Sequence, residues 1–244
     1  MTRGLLADCI PSSCVDGPGN RFVVFTQGCT FNCLACHNPQ TIARRAVAAS
    51  HWVEVDDLIG QIGDAAPFIS GVTASGGEAT CQSDFVAELF GRIKSDPRLG
   101  HLTTLIDTNG DAGPEVWDRL DPVLDGAMVD LKALDPDLHR LLARRSNQRV
   151  LDSITRLAGH GKLYEVRLLL IPGINDGADQ LTRTAAWLLQ AAPEARIRLN
   201  GFRRHGVRRA ARSFTQATGA SLMAAAGVLM AAGVRAERIF WIDV

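Results

Sequence analysis

Cys29, Cys33 and Cys36 stand in the run Gly28-Cys29-Thr30-Phe31-Asn32-Cys33-Leu34-Ala35-Cys36-His37-Asn38, a C-x3-C-x2-C spacing. Three thiolates this close can hold three corners of a four-iron cluster and leave the fourth iron open to a ligand. An electron-transfer cluster takes four protein thiolates, and a structural zinc site is closed by four ligands. A catalytic site keeps one position free. His37 adjoins the third cysteine, and Cys9, Cys14 and Cys81 are available elsewhere in the chain, so a closed zinc knot or plain buried thiols stand as alternatives. Zinc motifs usually come as two spaced ligand pairs, and no second pair follows here.

The elements that must position these thiols read as apolar runs of strand length alternating with helix-period segments, which predicts an α/β chain of parallel βα units. The strands are predicted at Arg21 to Gln27, Ile69 to Ser75, Leu102 to Thr108, Gly126 to Leu131, Leu163 to Ile171 and Arg196 to Asn200, with a short last one at Arg238 to Ile242. Ser83 is expected to cap a helix striped by Phe85, Val86, Leu89, Phe90 and Ile93. A second helix carries Leu181, Ala185, Leu188 and Leu189 and ends before Pro193, and a third runs from about Ser221 to Ala232.

Each of the first six strands ends in polar or glycine-rich punctuation: the cysteines, Ser75-Gly76-Gly77-Glu78, Asp107-Thr108-Asn109-Gly110, Asp130 with Lys132, Pro172-Gly173-Ile174-Asn175-Asp176, and Phe202 with the turn Arg203 to His205. In a βα barrel that end is the active-site face, and one cavity collecting all six is the expectation. Taken singly, Gly76-Gly77 and Asn109-Gly110 are ordinary turn dipeptides. Glu78 beside paired glycines would suit a bound amine, because missing side chains let a ligand approach the main chain. Asp107 and Asp130 close apolar strands, where an unpaired carboxylate is costly, so each is expected to meet a cation, a hydroxyl or Lys132.

The 244 residues fit one domain, spanning 1–244 with the cysteine loop at 28–38. Lys+Arg (26) balance Asp+Glu (26), so no whole-chain field draws nucleic acid or membrane. No run approaches the ~18 apolar residues of a membrane span, and the polar turn at Asp8 gives no leader, so a cytoplasmic location is expected. Six cysteines, three of them crowded, read as metal ligands plus spare thiols rather than a disulfide framework.

The cysteine run resembles the cluster motif of radical S-adenosylmethionine (SAM) enzymes. Asp16-Gly17-Pro18-Gly19 with Arg21, Cys36-His37-Asn38, Val72 to Ala79, Asp107-Thr108-Asn109-Gly110, Asp130-Leu131-Lys132 and Ile171-Pro172-Gly173 follow in the order seen in glycyl-radical-enzyme activases of the pyruvate formate-lyase activating type. Gly126-Ala127-Met128, Asn147-Gln148 and Arg198 to Phe202 with His205-Gly206-Val207 are most similar to the YjjW-like branch.

The resemblance implies a single-domain partial (β/α)6 TIM-like barrel of the radical SAM type. It further implies one [4Fe-4S] cluster on Cys29, Cys33 and Cys36, with SAM chelating the open iron. Reductive cleavage of SAM would give a 5'-deoxyadenosyl radical that removes a hydrogen from a glycine Cα of a partner glycyl radical enzyme. A flavodoxin or ferredoxin-type protein would supply the electron. By similarity, Gly76, Gly77 and Glu78 orient the methionine amine, Asp130 and Lys132 lie near its carboxylate, and His37 and Asn38 flank the nucleoside. Asp107, Thr108, the Met128 carbonyl and Asp130 match the ligands of a monovalent cation, Na+ or K+, and Asp16 with Arg167 would face the glycine loop. An internal ion pair is the competing reading of Arg167. A radical SAM enzyme acting on a small molecule or peptide, and a non-catalytic zinc or iron-sulfur protein, are the alternative functions.

Three departures from the family pattern stand out. Ala35 replaces a usual aromatic, which leaves Phe31 as the substitute stacking surface for adenine. Arg203 replaces a common histidine, with His205 two residues on as its stand-in for cofactor contact. Only Pro39 to Trp52 separates the first motif from the next helix, so the cysteine-rich insert for extra clusters is absent. Arg203, Arg204, Arg208, Arg209 and Arg212 form one dense basic patch, read either as a solvated face or as a dock for an acidic surface of the glycyl radical enzyme.

Overall fold

A computed structural model describes residues 2–241. The described chain divides into two compact units. One comprises the chain up to Thr30, Gln40–Thr108 and Ala112–Met128; the other comprises Phe31–Pro39, Asn109–Asp111 and the chain from Val129 onward.

The first unit carries β1 (Arg3–Ser13), β2 (Arg21–Thr26), β3 (His51–Glu54), α1 (Val55–Ala65), β4 (Gly71–Gly76), α2 (Ser83–Ser95), β5 (Thr103–Thr108), α3 (Pro114–Leu120) and the start of β6 (Gly126–Leu131). Its strands are ordered β3-β1-β2-β4-β5. β2, β4 and β5 run parallel, whereas β1 is antiparallel to both β2 and β3. The run Arg-Phe-Val-Val-Phe-Thr in β2 is buried at nearly every position, as expected of a parallel strand covered on both faces. α2 buries the stripe Phe85, Val86, Leu89, Phe90 and Ile93, as its spacing predicts. A Cβ at Gly4 would sit 2.6 Å from the Phe85 ring, so glycine is what lets β1 lie this close to α2.

The second unit carries the end of β6, α4 (Pro136–Ala143), α5 (Gln148–Gly159), β7 (Leu163–Leu170), α6 (Ala178–Ala191), β8 (Arg196–Gly201), α7 (Gly219–Ala231) and β9 (Ile239–Trp241). β7, β8 and β9 are parallel, in that order. Pro136 opens α4 and the Asp135 carboxylate accepts from the amides of Asp137 and Leu138, a strong start signal. α7 begins with a reciprocal cap between Thr218 and Ser221.

The fold class is α/β with mostly parallel strands, as the sequence predicts. β3 and β9 each have one hydrogen-bonded neighbour among the described residues, so the sheet is open rather than a closed barrel. The six predicted strands agree with β2 and β4 to β8 within two residues at either end. Two expectations are corrected. Ser83 is not a cap: Gln82 occupies that place without a side-chain bond, and Ser83 Oγ accepts from Arg119 Nη1 at 3.0 Å. β1 and β3 were not expected at all. The last strand is seen as Ile239–Trp241; Ile242, the end predicted for it, lies outside the described residues.

Candidate active site

In the first unit, Cys29 is held by backbone before any metal is considered. Gly28 N donates to Thr41 O at 2.8 Å and Cys29 N to Ile42 O at 3.1 Å. The Gln27 amide side chain, 3% exposed, donates to Gln40 O and Ala43 O, and Arg44 Nε donates to Cys29 O at 3.2 Å. The returning chain after Gln40 thus splints the first cysteine.

The Gly76-Gly77-Glu78 turn packs on the same loop. Gly77 N donates to Thr26 O and Glu78 N to Gly28 O. A Cβ at Gly77 would lie 2.4 Å from Gly28 O, and one at Gly76, where φ is +116°, would lie 2.2 Å from Thr26 N. Contact between two backbones therefore requires this pair of glycines. Glu78 is 1% exposed, and its Oε1 accepts from Thr80 N (3.0 Å), Thr80 Oγ1 (2.6 Å) and Thr108 Oγ1 (2.7 Å). Asp107 accepts from Ser75 Oγ at 3.2 Å, the hydroxyl partner its position calls for. Asp16 accepts from the Ser13 hydroxyl, and its carbonyl accepts from Thr73 Oγ1.

In the second unit, Asn32 N donates to Ala143 O (3.2 Å) and Leu34 N to Leu142 O (2.9 Å). The cysteine loop thereby takes up carbonyls at the end of α4 that no helical amide reaches. Ala35 explains itself by packing: it is 6% exposed, in one apolar cluster with Leu142, Ile171, Phe202, Val207 and Ala211. His37 lies 6.2 Å from the Phe202 ring in a stacked arrangement, and its Nε2 is 2.9 Å from Arg203 O, which makes that nitrogen the donor. Asn38 and His205 are exposed. Lys132 Nζ meets Asp130 Oδ2 at 2.6 Å. Asn175, which sequence reading had not singled out for this, donates to Lys132 O and Leu169 O and accepts from Ile171 N. Arg167 is ion-paired with Glu165 at 2.8 Å, the internal pairing that stood as the competing reading. Met128 is fully buried.

One expectation fails here. Phe31 is 2% exposed and meets His139 edge-on with ring centroids 5.5 Å apart, so it packs the loop and offers no stacking surface. His139, also missed in the sequence, is fully buried, with Nδ1 3.0 Å from Arg145 O and Nε2 unpartnered. Burial holds its pKa below the ordinary 6.5. As pH falls through 6.5 the unfolded chain takes up a proton that the folded imidazole refuses, so stability contributed at neutral pH is lost on acidification. Thermal unfolding at pH 7.5 and 5.5 should show this loss in the parent protein and a smaller one in His139→Gln; an equal loss in both would assign the acid lability elsewhere.

The donor set fits an iron-sulfur group. Burial pushes the Cys33 thiol up, while Lys132 and Arg208 pull it down and Cys36 and Asp130 push it up. A thiol so placed stays protonated until a metal displaces the proton. Among the described residues no three His, Cys, Asp or Glu side chains are grouped as one metal ion would require; a cubane instead takes one thiolate per iron. The remaining cysteines are occupied differently. Cys9 sits in β1 opposite Val24 with its thiol pushed up to about 11, chiefly by burial and then by Asp8. The Cys14 thiol faces Asn20 Oδ1, and Arg44 Nη2 reaches Cys81 Sγ at 3.7 Å.

Residues 23–185 match the model of the radical SAM superfamily, and the chain belongs to that superfamily. It belongs, within it, to the family of pyruvate formate-lyase-activating enzymes. The relative from Streptococcus mutans is 35% identical over 185 residues, covering 71% of this chain and 68% of the relative. A crystallised domain of the pyruvate-formate lyase-activating enzyme of Bacteroides vulgatus superposes with a TM-score of 0.57 at 22% identity, over 71% of this chain and 99% of that one. A radical SAM methyltransferase from Sphaerobacter thermophilus gives 0.68 at 18% identity, over 91% and 66%. The structural likenesses carry the fold: the open (β/α) fold of radical SAM enzymes.

Proposed function

We propose that this protein activates a glycyl radical enzyme, generating a radical on a glycine Cα of that partner. The observation that carries this reading is the family membership, with 35% identity to an activating enzyme, joined to the C-x3-C-x2-C loop. Cys29, Cys33 and Cys36 would hold one [4Fe-4S] cluster, which when bound supplies the electron that cleaves SAM reductively.

The chain's own residues divide the remaining work. Gly76, Gly77 and Glu78 orient the methionine amine, Glu78 through a carboxylate already fixed by two threonines. Asp130 and Lys132, bonded to each other, serve the carboxylate end. His37 and Asn38 flank the nucleoside, with His37 steadied on Phe202, and His205 is the further cofactor contact. Asp107, Thr108, the Met128 carbonyl and Asp130 are the candidate ligands for Na+ or K+. Asp16 and Arg167 meet the glycine loop. We place the protein in the cytoplasm as one functional domain, with a flavodoxin or ferredoxin-type reductant; no helix of the described residues is long and apolar enough to cross a membrane.

Anaerobic, iron-loaded protein given dithionite and SAM should form 5'-deoxyadenosine, and adding the cognate enzyme should yield a glycine-centred radical detected by electron paramagnetic resonance. Nucleoside formation without a radical on any glycyl radical enzyme would favour a small-molecule or peptide substrate and defeat the proposal.

A further inference from the structure

The balanced charge of the chain hides a local imbalance. No Asp or Glu occurs from Ala195 to Ala236, while that stretch holds eight arginines, five of them between Arg203 and Arg212. Arg203, Arg204, Arg209 and Arg212 are exposed, and none of these four or Arg208 forms an ion pair among the described residues. The segment's apolar side chains point the other way: Phe202 and Ala211 are fully buried and Val207 is 5% exposed. Its outer surface is thus cationic with no apolar centre.

This segment is built onto the cysteine loop. Arg203 O is bonded to His37, Arg208 Nη2 donates to Asn32 Oδ1, and a Cβ on Gly206 would lie 2.8 Å from His37 O. Asn32 and His37 flank Cys33 and Cys36 in the chain.

We infer that the arginines of 203–212 dock a small acidic electron-carrier protein that reduces the cluster. The inference rests on the reading that the three cysteines hold one. In the step itself one electron leaves the carrier, which is oxidised by one unit, and enters the cluster, which is reduced by one unit; no bond or proton moves. Redox encounters are small, polar and transient, and steered by opposite charge, which suits a cationic surface without an apolar anchor. An enzyme that must hold a glycine loop in place for radical transfer needs a larger, partly apolar contact. The basic patch is therefore assigned to the electron donor rather than to the glycyl radical enzyme.

The test uses the iron-loaded protein, a flavodoxin as probe, and the variant R203E/R209E/R212E, which changes side chains that form no hydrogen bond among the described residues. Calorimetric binding of flavodoxin at low salt should weaken at least about 10-fold, as expected when three exposed charge pairs are reversed. The parent's affinity should fall with added salt and the variant's should not. R203K/R209K/R212K should restore binding, which separates charge from misfolding. Dithionite-driven 5'-deoxyadenosine formation and iron content should be unchanged; loss of either in the parent protein would instead refute the cluster reading. Unaltered flavodoxin affinity in the charge-reversed variant, or weakened binding of the glycyl radical enzyme alone, would overturn the assignment.

Discussion

Cys33→Ala will form no measurable 5'-deoxyadenosine from SAM under reducing, anaerobic conditions, a fall of at least about 1,000-fold, equivalent to more than ~4 kcal/mol of barrier. Burial pushes the Cys33 thiol up, and the amides of its neighbours Asn32 and Leu34 are fixed on the end of α4. Neither side chain nor backbone can migrate to let another thiol take its place. Bound iron should drop along with activity. The matched control is Cys14→Ala, whose exposed thiol faces Asn20 and which should leave iron content and turnover as they were. Normal turnover by Cys33→Ala would remove the assignment of this loop to the cluster.

Arg21→Ala should be the most destabilising single change in the first unit. The side chain is fully buried. Nε donates to Thr73 Oγ1 at 2.6 Å, Nη1 to Pro18 O and Thr103 Oγ1, and Nη2 to Val72 O and Thr103 O. Truncation strands the buried acceptors Thr73 Oγ1 and Val72 O and unties the part-buried ones on Pro18 and Thr103, at about 3–5 kcal/mol, or roughly 10 °C in melting temperature for a chain of this size. Arg21→Lys should recover less than half, because an ammonium cannot span the planar fork. The consequence also reaches function. Arg21 grips Pro18 and, through Thr73, the Asp16 carbonyl, so the variant should lose glycyl radical formation faster than it loses cleavage of SAM. Thermal unfolding, with both products assayed in parallel, checks this; a melting point within 2 °C of the parent would contradict it.

The strands and the three-cysteine loop were legible because each writes itself locally. β2 is an unbroken apolar run, and the cysteine spacing lies within one short loop. β1 was hidden by its own irregularity: Asp8 and Pro11 interrupt its alternation, and its pairing with β2 shifts register between Leu6 and Asp8 and again between Ile10 and Ser13. β3 has only four residues. The side-chain contacts hidden from the sequence share a cause: Phe31, Glu78 and His139 take partners distant in the chain, Thr108 for Glu78 and Phe31 for His139, and no local pattern encodes such contacts. Ser83 failed for the opposite reason, since a residue of good capping type stands one position too late.

The last two carbonyls of α4 hold the amides on either side of Cys33. One residue inserted into that helix would rotate its end by about 100° and advance it by about 1.5 Å, swinging both acceptors away from the loop. Length variation among relatives should accordingly be tolerated in the turns around α4 and refused inside it, where a single codon gained or lost would register at Cys33.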